Sequence, residues 1–177
     1  EQNKFKEAIE TYKKAISIKP DYAEVYHNLG NTFEKQGNLD EAIAAYKKAI
    51  SIKPDYAEVY HNLGNIFEKQ GNSDEAIKFY NKALLIKPDY SEVYNNLGMA
   101  LQSKGSLEKA IKAYNKAFTI NPDFFSAYSS AAHLKSKTCN WRAADHNLID
   151  NYLGLGSKYT IKYPILPFHG LHTEDSP

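Results

Sequence analysis

Two residue types recur where their chemistry could be used. Histidine stands at 27 and 61, and asparagine at 28, 62 and 96, each at one fixed interval along the chain. A pair of imidazoles invites a metal ion. No motif places a carboxylate or a third ligand to complete such a site, so no metal is expected. A primary amide offers two donors and an acceptor, and can pair with a polypeptide backbone whatever side chains that backbone carries. Asn31, Asn65 and Asn95 place further amides nearby. Asparagine so placed can equally bond to neighbouring elements of its own chain, and residue type alone leaves both uses open. His133, His146, His169 and His172 fit no catalytic motif, and no glycine-rich phosphate loop appears. No catalytic residue and no cofactor is expected.

The interval belongs to an internal repeat, which sets the elements that position these side chains. Residues 23–56 match residues 57–90 at 27 of 34 positions, and 91–124 keep the same frame. Residues 1–22 read as half a repeat, 125–155 as a divergent capping repeat, and 156–177 as an irregular tail or a linker to a further domain. Within the first full copy, Val25, Tyr26, Leu29 and Phe33 form one apolar face. Ala42, Ile43, Tyr46, Ala49 and Ile50 form a second, at the i, i+3, i+4 and i+7 spacing of a helix. Gln36-Gly37-Asn38 breaks the two apart, and Pro54 stops the second, because it lacks an N–H and restricts the residue before it. Asp21 and Asn38 are read as N-caps, each with an acid three residues on, Glu24 and Glu41.

Gly30, Gly64 and Gly98 recur inside the first helix of each copy. Glycine there costs on the order of 1 kcal/mol relative to alanine. Its return at one register predicts a neighbouring helix too close for a larger side chain. Ala42, Ala76 and Ala110 carry the same meaning in the second helix. Each helix pair exposes apolar surface on both flanks, so the copies must stack to bury it. The expected fold is all-α.

Composition narrows the partners. The chain has 22 basic and 21 acidic residues, a formal charge of +1, and signs that alternate along it. A nucleic-acid surface needs clustered Lys and Arg, so none is expected as partner. The single cysteine, Cys139, excludes an internal disulfide and favours a cytoplasmic location. No apolar run approaches the roughly 20 residues of a membrane span, and the N-terminus carries no secretory signal. Glu1 in the place of an initiator Met predicts a longer parent. In the half repeat, Phe5, Ile9 and Tyr12 form an apolar face through which a homodimer is expected.

Tyr26, Leu29-Gly30, Phe33, Ala42, Tyr46, Ala49 and Pro54 resemble the tetratricopeptide repeat. The next copy supplies Tyr60, Leu63-Gly64, Phe67, Ala76, Tyr80, Ala83 and Pro88. The third supplies Tyr94, Leu97-Gly98, Leu101, Ala110, Tyr114, Ala117 and Pro122. The resemblance implies a right-handed superhelical solenoid of antiparallel helix pairs. In it, the first helix of each pair lines a concave groove, and the whole serves as a protein–protein interaction scaffold for an extended polypeptide. The groove would then carry His27, Asn28 and Asn31, then His61, Asn62 and Asn65, then Asn95 and Asn96. These are the peptide-binding candidates. Some members of the family clamp a terminal carboxylate with Lys and Arg; this chain has His27, His61 and Asn95 at those places.

A second resemblance lies near the C-terminus. Thr138-Cys139-Asn140-Trp141, then Leu166-Pro167-Phe168 and Glu174-Asp175-Ser176-Pro177, resemble the junction between repeats and catalytic region in O-linked N-acetylglucosamine transferase-like proteins. This implies a parent that transfers a sugar from a nucleotide donor to protein Ser or Thr. The chain would then be its substrate-recognition arm, and the catalytic domain would lie beyond Pro177. The chain itself is expected to have no enzyme activity.

Overall fold

The structure, a computed structural model, describes residues 2–137. The expectations placed on Cys139, Trp141, the rest of the divergent copy and the tail lie outside the described residues. Among the described residues the fold is eight α-helices with no strand: α1 (Gln2–Ile18), α2 (Ala23–Lys35), α3 (Leu39–Ile52), α4 (Ala57–Lys69), α5 (Ser73–Ile86), α6 (Ser91–Ser103), α7 (Leu107–Ile120) and α8 (Phe125–Lys137). Each helix packs on the one before it and the one after it. The tightest partners are α2 with α3, α4 with α5, and α6 with α7. The described residues form a helical solenoid.

The turn inside each pair is made by one glycine. Gly37, Gly71 and Gly105 take φ of 81°, 74° and 73°, the left-handed region that a residue with a Cβ enters only at a cost. That single reversal sends the chain back, and Asn38, Asn72 and Ser106 then donate their N–H to Phe33, Phe67 and Leu101, each at 2.9 Å. Carbonyls at the helix end are thereby satisfied without water.

The caps differ from the reading of the sequence. α2 begins after Tyr22 rather than Asp21, because the first turn closes on the Tyr22 carbonyl, which accepts from Val25 at 3.1 Å. Asn38 does hold the cap position of α3, but its side chain turns to Gln36 instead of the helix N–H groups. In the next copy Asn72 does cap, accepting from the Glu75 N–H at 3.2 Å.

Inside each pair a tyrosine of the second helix lies against the glycine of the first. Tyr46, Tyr80 and Tyr114 are among the largest fully or nearly fully buried side chains, and Ala42, Ala76 and Ala110 beside them are wholly buried. A Cβ built on Gly30 would stand 2.5 Å from Tyr46 Cε1, and one on Gly98 2.6 Å from Tyr114 Cε1. The helices meet where glycine leaves a notch and the ring fills it. No alanine fits without moving a ring that is itself enclosed.

Gly30→Ala therefore sets two terms against each other. Helix propensity gains about 1 kcal/mol, while overpacking a closed site costs about 1–3 kcal/mol. With the ring fully buried the second term wins, and urea denaturation should read a net loss of up to about 2 kcal/mol. A gain in stability would mean that the ring moves freely.

Candidate functional site

The candidate residues lie on α2, α4 and α6, and hydrogen bonds run directly between these three helices. On α2, the Nδ2 of Asn31 approaches His27 Nε2 at 3.3 Å. From α4, Asn62 Nδ2 reaches the same His27 nitrogen at 3.1 Å and Asn31 Oδ1 at 3.0 Å. Tyr46, coming from α3, donates its hydroxyl to Asn31 Oδ1 at 2.6 Å, and Glu34 Oε2 stands 3.0 Å from the same hydroxyl. The next joint repeats the arrangement. Asn96 of α6 reaches His61 Nε2 at 3.0 Å and Asn65 Oδ1 at 2.9 Å. Asn65 Nδ2 lies 3.2 Å from His61 Nε2, and Tyr80 donates to Asn65 Oδ1 at 2.9 Å.

These contacts fix each histidine's tautomer. Nε2 faces two amide N–H groups, so it must accept, and the proton sits on Nδ1. From there it donates to Tyr56 Oη at 3.0 Å in one joint and to Tyr90 Oη at 3.3 Å in the other. The phenol rings also meet the imidazoles edge-on, with centroids 5.1 Å and 5.2 Å apart. Lys53 and Lys87 lie over the same two phenols at 4.5 Å. Tyr56 and Tyr90 belong to the loops after each proline, and the reading of the sequence missed them.

A signal for them was present in the repeats. Where His27 and His61 give way to Asn95, Tyr56 and Tyr90 give way to Phe124. Likewise Asn31 and Asn65 become Met99 where Asn62 and Asn96 become Ser130. Partners change together because a buried donor left without an acceptor costs about 1–3 kcal/mol.

The candidates thus divide by what they are free to do. Asn62 and Asn96 direct their amide N–H groups into the joint between repeats. His27, His61, Asn31 and Asn65 are the groups that receive them. Asn28 is exposed, with its side chain in no hydrogen bond among the described residues. Asn95 donates to Asn96 Oδ1 at 3.4 Å and lies 3.7 Å from Met99 Sδ. Neither imidazole presents a nitrogen to a metal, and among the described residues no group of three or more His, Cys, Asp or Glu could hold one. No helix among them is long and apolar enough to cross a membrane.

Burial lowers both histidines below the ordinary value of 6.5, against the raising effect of Glu58 and Glu24 on His27, and of Glu92, Glu34 and Glu58 on His61. Burial also raises Tyr46 and Tyr80, with Glu34 adding to it at Tyr46 and Glu68 at Tyr80. The phenols stay protonated donors and the imidazoles neutral acceptors. The face offers hydrogen bonds, and its histidines offer no positive charge.

Comparison with known proteins places the architecture. Family models described as TPR repeat match residues 1–37 and 35–71, and one described as tetratricopeptide repeat matches residues 55–123. A crystal structure of MamA is 31% identical, with a TM-score of 0.72 over 77% of this chain and 80% of that one. A second MamA structure is 29% identical, with a TM-score of 0.70 over 86% and 79%. The first TPR of Spaghetti (RPAP3), bound to the HSP90 peptide SRMEEVD, is 25% identical, with a TM-score of 0.64 over 67% and 94%. Among curated proteins there is no match.

The joint makes stability depend on pH with a definite sign. A folded-state value lowered below 6.5 means that the unfolded chain binds protons first as pH falls. The stabilisation is whole above that value and is lost as pH drops through the window beneath it, by at most about 1.4 kcal/mol per pH unit for each histidine. His27→Asn with His61→Asn, the residue type of the third copy, should lower stability at neutral pH and flatten this part of the curve. Thermal melts from pH 7.5 to 5 check it; parallel curves for variant and parent would remove the histidines from the account.

Proposed function

The chain belongs to the tetratricopeptide-repeat family, and from that premise we propose that it is a non-enzymatic scaffold holding an extended polypeptide along α2, α4 and α6. The observation that carries this is the face itself. Polar groups return once per repeat on three adjacent helices, and the joint locks their rotamers. An amide whose N–H groups are already bonded presents a fixed carbonyl oxygen, which costs little entropy to use. Asn62 is in that position, and exposed Asn28 offers a whole amide. One similar structure holds a peptide, which supports polypeptide as the ligand class here.

That peptide ends in acidic residues, and the likeness stops there. The places at which a carboxylate clamp needs cations are held by neutral His27, neutral His61 and Asn95. The ligand of this face is therefore not a terminal carboxylate.

Self-association through α1 is a further part of this reading. No residue of α1 is buried, and Phe5, Ile9 and Tyr12 are only half-covered. That leaves apolar area for a second copy. The transferase-arm reading rests wholly on the stretches from Thr138 to Pro177, and the matched family models end at residue 123. The scaffold reading needs none of those residues.

Binding is checked with a peptide selected from a random dodecapeptide display library and followed by NMR. Shifted amides should cluster on α2, α4 and α6; shifts confined to α3, α5 and α7 would place the ligand on the other face. Asn28→Ala should weaken capture without changing the melt. Asn62→Ala and Asn96→Ala should each also cost about 1–3 kcal/mol of stability, because they strip the joint of its donors. For α1, sedimentation velocity should show a dimer that grows with concentration and is lost in Phe5→Ser with Ile9→Ser. A monomer at every concentration rules the dimer out.

A further inference from the structure

A pocket of about 280 Å³ opens where α4, α5 and α6 meet, lined by Asn65, Glu68, Lys69, Tyr80, Asn96 and Met99. Glu68 is its unusual member. Its Oε2 is buried and has no hydrogen-bond partner, the sole such side-chain oxygen or nitrogen among the described residues. A buried carboxylate oxygen without a donor is costly, and native structures rarely leave one so.

The preceding joint shows what is missing. There Glu34, at the same register, has Tyr46 Oη 3.0 Å from Oε2 and Lys69 Nζ 2.6 Å from Oε1. The residue that corresponds to Lys69 one repeat on is Ser103, which carries no charge. Tyr80 donates its hydroxyl to Asn65 just as Tyr46 does to Asn31, but Glu68 Oε2 lacks the contact with that hydroxyl that Glu34 Oε2 has. Lys69 does line the pocket, but its charge is paired with Glu34. Glu68 has neither the cation nor the phenol contact that Glu34 has. At the third joint the register holds Gln102, which is neutral and accepts from Tyr114 at 3.0 Å. Only the middle joint keeps a charge without an answer.

We propose that this pocket is a subsite for one cationic side chain, lysine or arginine, of the bound polypeptide. Glu68 supplies the counter-charge. Met99, an apolar side chain 51% exposed on the pocket wall, packs against the aliphatic stem. Tyr80 and the joint amides of Asn65 and Asn96 hold the wall in place. An ammonium or guanidinium at Glu68 completes the pairing that the chain builds internally with Lys69 at the joint before. This inference rests on the face of α2, α4 and α6 being the binding surface, and it names the charge of what binds.

The test uses the full chain and three fluorescein-labelled peptides of one extended Ala-Ser sequence, whose central residue is arginine, its neutral isostere citrulline, or glutamate. Anisotropy should show the arginine peptide binding about tenfold tighter than the citrulline peptide, the gain of a charge-assisted hydrogen bond. Glu68→Gln should bring the two to within about twofold of one another. Ser103→Lys supplies an internal cation like Lys69; it should erase the same preference and raise the melting temperature. Equal binding of arginine and citrulline by the parent chain, or a preference that survives in either variant, overturns the subsite while leaving the binding face intact. Binding of none of the three peptides up to about 1 mM, a free energy near −4 kcal/mol, overturns the face and the subsite together.

Discussion

A tyrosine that must be buried at one end and hydrogen-bonded at the other ties the solenoid together. The ring of Tyr46 fills the notch left by Gly30 and so sets how closely α2 and α3 approach. Its hydroxyl, taken out of water by that packing, has to find an acceptor inside the protein. It finds Asn31, whose carbonyl oxygen also accepts from Asn62 of the next pair. One side chain therefore fixes the spacing within a repeat and the register between repeats. Tyr80 does the same with Gly64, Asn65 and Asn96. Changing the glycine disturbs the ring, the ring carries the hydroxyl, and the hydroxyl orients the amide that receives the following helix.

That linkage explains which parts of the molecule were legible in the residues. The repeat length, the glycine notch, the small alanines and the proline stops all express steric demands, and steric demands restrict residue type. Only glycine fits the notch, so its recurrence reads directly as close packing. Amides restrict much less. Asn28, Asn62 and Asn96 are one residue type at one register, yet Asn62 and Asn96 bond to the repeat before them while Asn28 is exposed. Sequence tells that an amide is present and not which way its donors face. Tyr56 and Tyr90 were harder still, because a phenol in a loop after Pro-Asp reads as ordinary surface. Only the paired change to Asn95 and Phe124 marks them. The Asp21 cap failed for a local reason: the backbone of Tyr22 already closes the first turn, leaving that aspartate nothing to do.

The polar network is not uniform along the stack. The first two joints are built from histidine, two asparagines and two tyrosines. The third, toward α8, has Asn95, Met99, Phe124 and Ser130 at the matching places. Tyr114 keeps an acceptor there by turning to Gln102. The buried side chains of α7 and α8, Ala110, Tyr114, Ala117, Ala127, Ala131 and Leu134, form their own cluster beside the larger one spanning α3 to α7. Hydrogen bonding of the first two joints gives way to more apolar contact at the third. Stability of a stacked array is a sum over repeats and their interfaces. Acid, which acts on the histidine joints, therefore leaves this end with its cohesion.

Substitutions at such joints come in sets, since a polar group cannot lose its partner underground without penalty. Histidine leaves with the phenol that received its proton, and the accepting asparagine leaves with the asparagine that donated to it. Glu68 breaks the rule. Its potential cation is absent at Ser103 and no phenol hydroxyl reaches its Oε2, yet it is still a carboxylate and still partly buried. Packing gives no reason for that, since Gln102 shows that a neutral residue serves the same register. Glu68 also borders a pocket, open beside Met99. A charge kept without an internal partner, beside a pocket that admits another molecule, is accounted for by a partner that arrives from outside.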